Sequence, residues 1–166
     1  MPNNKQWERR VGVYGICVRD GKILVIEKRR GPYRGRYDLP GGKIESGESL
    51  FETIRREVLE ETGFSVESAE SLGLCEFLVP WNSPGGEYLH HISLFFAITI
   101  HSTPPTNLAS FDGQDSAGSA WIPIDQCTEG NVSPLVTQAV RWYSFGAFPT
   151  ELQRLDNWEI REVDEA

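Results

Sequence analysis

The sequence predicts an α/β fold, a sandwich in which helices lie against a mixed sheet, and three observations carry that expectation. Short alternating runs bracket an Asp-Gly turn near the start of the chain. A helical period with its own start and stop signals follows a Pro-Gly-Gly turn. Two longer apolar runs then precede a second helix opened by Ser-Pro.

Taken in order, residues 11–18 alternate as a strand, Asp20-Gly21 is a strong hairpin turn, and residues 22–27 form the returning strand. A basic loop from Lys28 to Arg36 follows, and residues 37–39 form a short strand feeding the Pro40-Gly41-Gly42 turn. Ser49 with Glu52 three positions later makes a capping box that opens a helix, and Gly63 is a left-handed terminator that closes it. Leu50, Phe51, Ile54 and Val58 form an apolar stripe on this helix that should bury against the sheet. Residues 72–80 and 88–100 read as strands joined by a turn over 82–86, the second apolar on both faces as a central strand is. Residues 101–119 read as a long polar loop, and residues 120–122 as a short strand. Ser133 and Pro134 open a second helix that runs to about Phe145. From Pro149 onward there is no clear periodicity.

The chemistry concentrates on the first helix. Glu57, Glu60 and Glu61 stand at i, i+3 and i+4 and share one stripe beside the apolar one. Like charges this crowded repel one another and raise their own pKa values unless a cation neutralises them. The stripe therefore reads as a seat for a hard divalent ion, and oxygen-only donors suit Mg²⁺ or Mn²⁺. The plain alternative is a solvated charged face. Such faces normally intersperse lysine, whereas the only basic residues on this helix are Arg55 and Arg56. Arg56 precedes Glu60 by four and can pair with it.

This segment resembles the Nudix box, G-x5-E-x7-R-E-U-x-E-E-x-G-U, where U is a bulky aliphatic or aromatic residue. Gly42, Glu48, Arg56, Glu57, Val58, Glu60, Glu61, Gly63 and Phe64 fill every fixed position. The resemblance implies a single Nudix hydrolase domain over 1–166, with a core of about 9–147 and a C-terminal tail over 148–166, folded as a Nudix-type α/β/α sandwich with a mixed β-sheet flanked by helices. It further implies metal-dependent hydrolysis of a nucleoside diphosphate linked to another moiety. Glu57, Glu60, Glu61 and the carbonyl of Gly41 would hold the metals, Arg56 would orient a glutamate, and Glu48 would act through water or an ion pair. In some relatives a loop acid serves as base. Asp115, six residues before Trp121, and Asp112 are the candidates here, with Glu87 behind them, although an ordinary turn-forming Asp accounts for Asp115 equally well.

Arg29, Arg30, Arg34 and Arg36 stand just upstream of the metal turn, where an arginine can clamp a phosphate bidentately. Tyr33, Tyr37 and Trp81 can stack on a base. Singly, these are ordinary loop arginines and core aromatics, and only the cluster points to substrate. Pro80 stands where some ADP-ribose pyrophosphatases of the family carry a proline, but prolines commonly end strands anyway. Nucleoside triphosphates, ADP-ribose-type compounds and sugar nucleotides all stay open. So does a different class of protein, a non-catalytic nucleotide-sensing Nudix module. Such sensors often lose box glutamates and are fused to a DNA-binding domain, whereas this sequence keeps every box acid and leaves no room for an attached helix-turn-helix domain.

Composition bounds the partners. At 166 residues and 39% hydrophobic content the chain can build one sizeable core. A net charge of −8 and a pI near 4.9 speak against a general basic surface for nucleic acid. The expected partner is a small nucleotide-like pyrophosphate, and a homodimer is compatible with the sequence. Cys17, Cys75 and Cys127 are scattered without metal spacing, and the first two lie in apolar runs as buried thiols do. The first ten residues are polar, and no run approaches the roughly 18 apolar residues that span a bilayer. A cytoplasmic protein with no membrane partner is the expectation.

Overall fold

Period-two alternation builds two sheets in the computed structural model, which describes residues 6–101 and 116–162. Strand β1 (Trp7–Ile16) runs into β2 (Val18–Arg19), and the chain returns as β3 (Lys22–Lys28). Asp20 and Gly21 both take positive φ, 48° and 72°, the combination that a right-twisted two-residue hairpin needs. Then come β4 (Tyr37–Asp38), β5 (Gly41–Lys43), α1 (Leu50–Thr62), β6 (Val66–Ser83) and β7 (Gly86–Ile100). After the undescribed stretch follow β8 (Ser116–Pro123), a 3₁₀ turn at Ile124–Gln126, α2 (Pro134–Phe145) and β9 (Gln153–Arg154).

One sheet has the order β5-β1-β7-β6-β9 and is mixed: β1 pairs with β7, and β6 with β9, in parallel, and the other neighbours are antiparallel. In the second sheet β3 pairs antiparallel with β2 and β4 at its two ends and with β8 along its length. Side-chain alternation divides the core in two. Val13 of β1 and Leu24 of β3 point to the α1 side, where Ile54, Val58 and Phe96 meet them. Tyr14, Ile16, Ile23 and Val25 point to the α2 side, with Leu135, Val136 and Ala139. Gly15 sits under α1, and a Cβ there would lie 3.3 Å from Cδ1 of Ile54 and 2.7 Å from Cδ1 of Ile98. Its missing side chain lets the helix lie down on the sheet.

Helix α1 has the expected ends. The Ser49 hydroxyl accepts from the Glu52 amide, the Glu52 carboxylate accepts from the Ser49 amide, and Gly63 caps the C-terminus at φ 76°. Its buried arc departs from expectation. Thr53, Ile54, Val58, Glu61 and Thr62 are buried, whereas Leu50 and Phe51 are each 39% exposed. Those two share the angular position of the arc but stand in the first turn, and the Arg55 guanidinium lies 5.5 Å over the Phe51 ring.

Strand β6 begins earlier than its hydrophobic pattern suggests, because register shifts after Val66 and between Ser71 and Gly73 break its alternation. Residues 116–119 belong to β8 rather than to the expected loop, and residues 102–115 lie outside the described residues. The tail packs against the domain: β9 adds to β6, and Phe148, Leu155 and Trp158 pack on the α2-side core. Cys17 and Cys75 are buried free thiols. No helix among the described residues is long and apolar enough to cross a membrane.

Candidate active site

The site is built where β5 turns into α1. Strand β5 pairs with β1 through Gly41–Tyr14, Gly42–Val13 and Lys43–Gly12. Gly41 has φ 152°, and a Cβ on it would collide with the Val13 carbonyl and lie 2.7 Å from Cα of Tyr14. A Cβ on Gly42 would stand 2.6 Å from Oε1 of Glu57. Two glycines are therefore what lets this turn lie between β1 and the helix carboxylates. The Gly41 amide donates to Oε1 of Glu61 at 2.8 Å, fixing that side chain to the turn.

The three box glutamates have different surroundings. Glu61 is only 9% exposed, and burial pushes its carboxyl well above the usual range against the opposing pull of Lys28. Burial also raises Glu57, opposed by the Arg56 guanidinium 3.0 Å away. The Glu60 side chain is half exposed and lies 3.4 Å from Arg56.

Arg56 organises this face. Its Nε and Nη2 donate to the two oxygens of Glu48, its Nη1 to Glu57, and its Nη2 also to the Lys43 carbonyl at 3.0 Å. The bidentate pair holds the Glu48 carboxyl down at about 2, helped by the Thr53 hydroxyl and the Glu45 amide. Arg56 and Glu48 thus tie the segment after β5 to the helix.

Among the described residues no three acidic, His or Cys groups stand as a closed cage for a metal, the Glu60 carboxylate being turned onto Arg56. The donor set nevertheless fits a hard divalent ion. It offers carboxylate oxygens, and burial raises the pKa of two of these groups, Glu57 and Glu61, which a bound cation would offset.

These carboxylates line one wall of a cavity of about 510 Å³. Lys28, Arg30 and Lys43 also line it, and none of the three forms an ion pair among the described residues. Asp38 faces it from β4, fully buried, with Oδ1 accepting from the Leu39 amide and from the Ser133 hydroxyl. Ser133 also caps α2, so the start of that helix is linked to the cavity acid. Tyr14, Tyr33 and His91 complete the lining from β1, the basic loop and β7. Burial brings His91 down to about 3, so its imidazole is neutral.

Of the residues expected to meet substrate, the structure brings Arg30 and Tyr33 to the cavity and places the others elsewhere. Arg34 donates to the Arg161 carbonyl and lies 3.6 Å from the Glu162 carboxylate. Arg36 is buried, stacks 4.0 Å over the Trp158 ring and donates to the Glu159 carbonyl. Both fasten the C-terminal tail, which these loop arginines meet in place of phosphate. Tyr37 packs on the α2-side core with its amide bonded to the Asn131 carbonyl. Trp81 is half-buried near the end of β6, away from the cavity lining, and Glu87 is exposed outside it too. Asp112 and Asp115 lie outside the described residues.

Sequence reasoning missed Asp38, Tyr14, His91, Lys28 and Lys43. Lys28 opens the basic loop that the sequence marks out, and Asp38 carried a signal of its own, a carboxylate inside an otherwise apolar strand directly before the Pro-Gly-Gly turn.

The NUDIX domain family matches residues 7–143 of this chain. An ADP-ribose pyrophosphatase of Methanocaldococcus jannaschii is 38% identical over 90 residues, covering 54% of this chain and 50% of that protein, so the chain spans half the length of that relative. The oxidized purine nucleoside triphosphate hydrolase of Mus musculus is 26% identical over 156 residues, 90% of this chain and 92% of that protein. Among solved structures, a MutT NUDIX hydrolase from Burkholderia pseudomallei superposes with a TM-score of 0.64 at 26% identity, over 81% of this chain and 97% of that one.

Proposed function

The chain belongs to the NUDIX family, and from that premise we propose that it is a divalent-metal-dependent pyrophosphohydrolase acting on a small nucleoside diphosphate derivative. One observation carries the proposal. Partly buried Glu57 and buried Glu61 stand against the Gly41-Gly42 turn, both raised by burial, in the wall of a cavity that also presents Lys28, Arg30 and Lys43.

Glu57, Glu60, Glu61 and the Gly41 carbonyl are the groups that would hold Mg²⁺ or Mn²⁺. Such ions, when bound, neutralise the diphosphate and lower the pKa of an attacking water. Arg56 keeps Glu57 and Glu60 in place and is itself fixed by Glu48, so both are positioning residues. Lys28, Arg30 and Lys43, which line the same cavity, would take phosphate oxygens beyond the scissile bond. A carboxylate held above its usual range is a better base near neutral pH, which favours Glu57 or Glu61 for accepting the proton from water. Asp112 and Asp115 keep their candidacy for that role.

ADP-ribose and oxidised purine nucleoside triphosphates, the compounds in the names of the two relatives, head the substrates to test. The experiment is a screen of these, ordinary nucleoside triphosphates and sugar nucleotides with Mg²⁺ or Mn²⁺, with products separated by chromatography. Release of a nucleoside monophosphate from at least one compound is expected. A chain that turns over none of them with either metal would refute the proposal.

A further inference from the structure

At the floor of the cavity the imidazole of His91 is held between two tyrosines. Tyr14 Oη lies 2.7 Å from Nε2 and Tyr33 Oη lies 2.8 Å from Nδ1. Tyr14, His91 and Tyr33 are buried, at 6%, 1% and 2% exposure respectively, and all three line the cavity. The glycine at position 12 makes room for this: a Cβ there would lie 2.7 Å from Cζ of Tyr14.

Counting protons shows what the arrangement leaves over. Two hydroxyls and one neutral imidazole carry three polar hydrogens, and the two contacts use two of them. If Nδ1 carries the imidazole proton, it donates to Tyr33, Tyr14 donates to Nε2, and the Tyr33 hydroxyl hydrogen is unused. The other tautomer leaves the Tyr14 hydrogen unused instead. Neither hydroxyl makes a further hydrogen bond among the described residues. A buried donor without a partner is costly, and here it borders a cavity large enough to bring it one.

The order of groups along the cavity suggests what the partner is. Tyr14 pairs with Gly41, whose amide holds Glu61, whereas Tyr33 stands on the basic loop and meets the opposite nitrogen of His91. The relay therefore leads away from the carboxylate seat, Tyr14 at its near end. The cations Lys28, Arg30 and Lys43 supply charge for phosphate, while the relay is neutral and offers one donor together with acceptor lone pairs. On the reading of the site given above, we propose that Tyr14, His91 and Tyr33 form a neutral hydrogen-bonding reader of the substrate's uncharged nucleoside moiety, which extends along the relay once the diphosphate is seated. A tautomer exchange moves the free donor between the two tyrosines, so the reader presents either arrangement without a change of charge.

The test uses calorimetric titration with two non-hydrolysable probes, α,β-methylene-ADP and methylenediphosphonate, which share a diphosphate backbone and differ by the nucleoside. Tyr33→Phe and Tyr14→Phe keep ring and volume and remove one hydroxyl each. At least one of them should weaken the nucleotide probe about tenfold or more relative to the diphosphonate. In steady-state kinetics on the best substrate of the screen, the same variant should lose more in KM than in kcat. Equal weakening of both probes, or unchanged nucleotide affinity in both variants, would overturn the proposal. A wild-type chain that turns over a pyrophosphate substrate but binds both probes equally would overturn it too, with the hydrolase reading intact. Failure of the screen together with nucleotide binding that still needs the hydroxyls would sink the hydrolase reading and leave the reader standing.

Discussion

Replacing Ile54 and Glu60 separately tests whether one helix carries both the core and the chemistry. Ile54 is fully buried and reaches Ile98 and the backbone of Gly15. Ile54→Ala removes a packed side chain the sheet cannot refill, which costs about 2–5 kcal/mol. For a domain of this size each kcal/mol lowers Tm by roughly 2–4 °C, so a fall of roughly 4–20 °C is expected. The Glu60 side chain is half exposed, and its one contact to Arg56 is 3.4 Å long and shared with Glu48 and Glu57. Glu60→Gln should therefore change stability by less than about 0.5 kcal/mol. Its carboxylate charge is what a metal needs, and the loss should reduce turnover about a hundredfold, ~2.7 kcal/mol on the barrier. Thermal melts and steady-state rates on the best substrate, scaled to folded protein, separate the two effects. An Ile54→Ala variant with an unchanged melt, or a Glu60→Gln variant with an unchanged rate, would refute the division.

Glu61→Gln should raise apo stability at neutral pH. A carboxyl whose folded pKa is raised contributes stability below its ordinary value of 4.5 and loses it as pH rises through the folded value. In chelator at pH 8 the variant should unfold at higher denaturant than wild type, the two should converge below pH 4, and a variant weaker than wild type at pH 8 would contradict this. Arg36→Ala, which removes the stack on Trp158 and the bond to Glu159, should cost about 1–3 kcal/mol while KM on the best substrate stays within about twofold; a large KM rise would return Arg36 to the substrate. Gly41→Ala forces a side chain into the Val13 carbonyl at positive φ, so both the melting temperature and the metal affinity read by calorimetry should fall, and wild-type values for both would show that the turn tolerates a Cβ.

What could be read in the sequence was local. The capping box at Ser49, the Gly63 terminator, the Asp20-Gly21 hairpin and the Ser133-Pro134 helix start each rest on neighbours within a few residues, and the structure has all four. The spacing of the box glutamates placed them on one side of α1 but did not show that Glu61 sits inside the buried arc while Glu60 stays in solvent. What was missed depends on distant pairing. His91 meets Tyr14 and Tyr33 across separations of 77 and 58 residues, and Arg36 meets the tail 123 residues on. A two-residue parallel strand such as β9 has no period to detect. Leu50 and Phe51 show the opposite error, since they share the angular position of the buried arc and yet are each 39% exposed.

The most direct test of the central claim is turnover of the best substrate against Mg²⁺ concentration, starting from protein stripped with EDTA and followed in parallel by circular dichroism. The stripped protein should keep its fold, because α1 is held by Ile54 and Val58 on the sheet, and should show no hydrolysis until the metal returns, with the rate saturating as the site fills. Full hydrolysis in excess EDTA would contradict the assignment of Glu57, Glu60 and Glu61 as the groups that hold the metal.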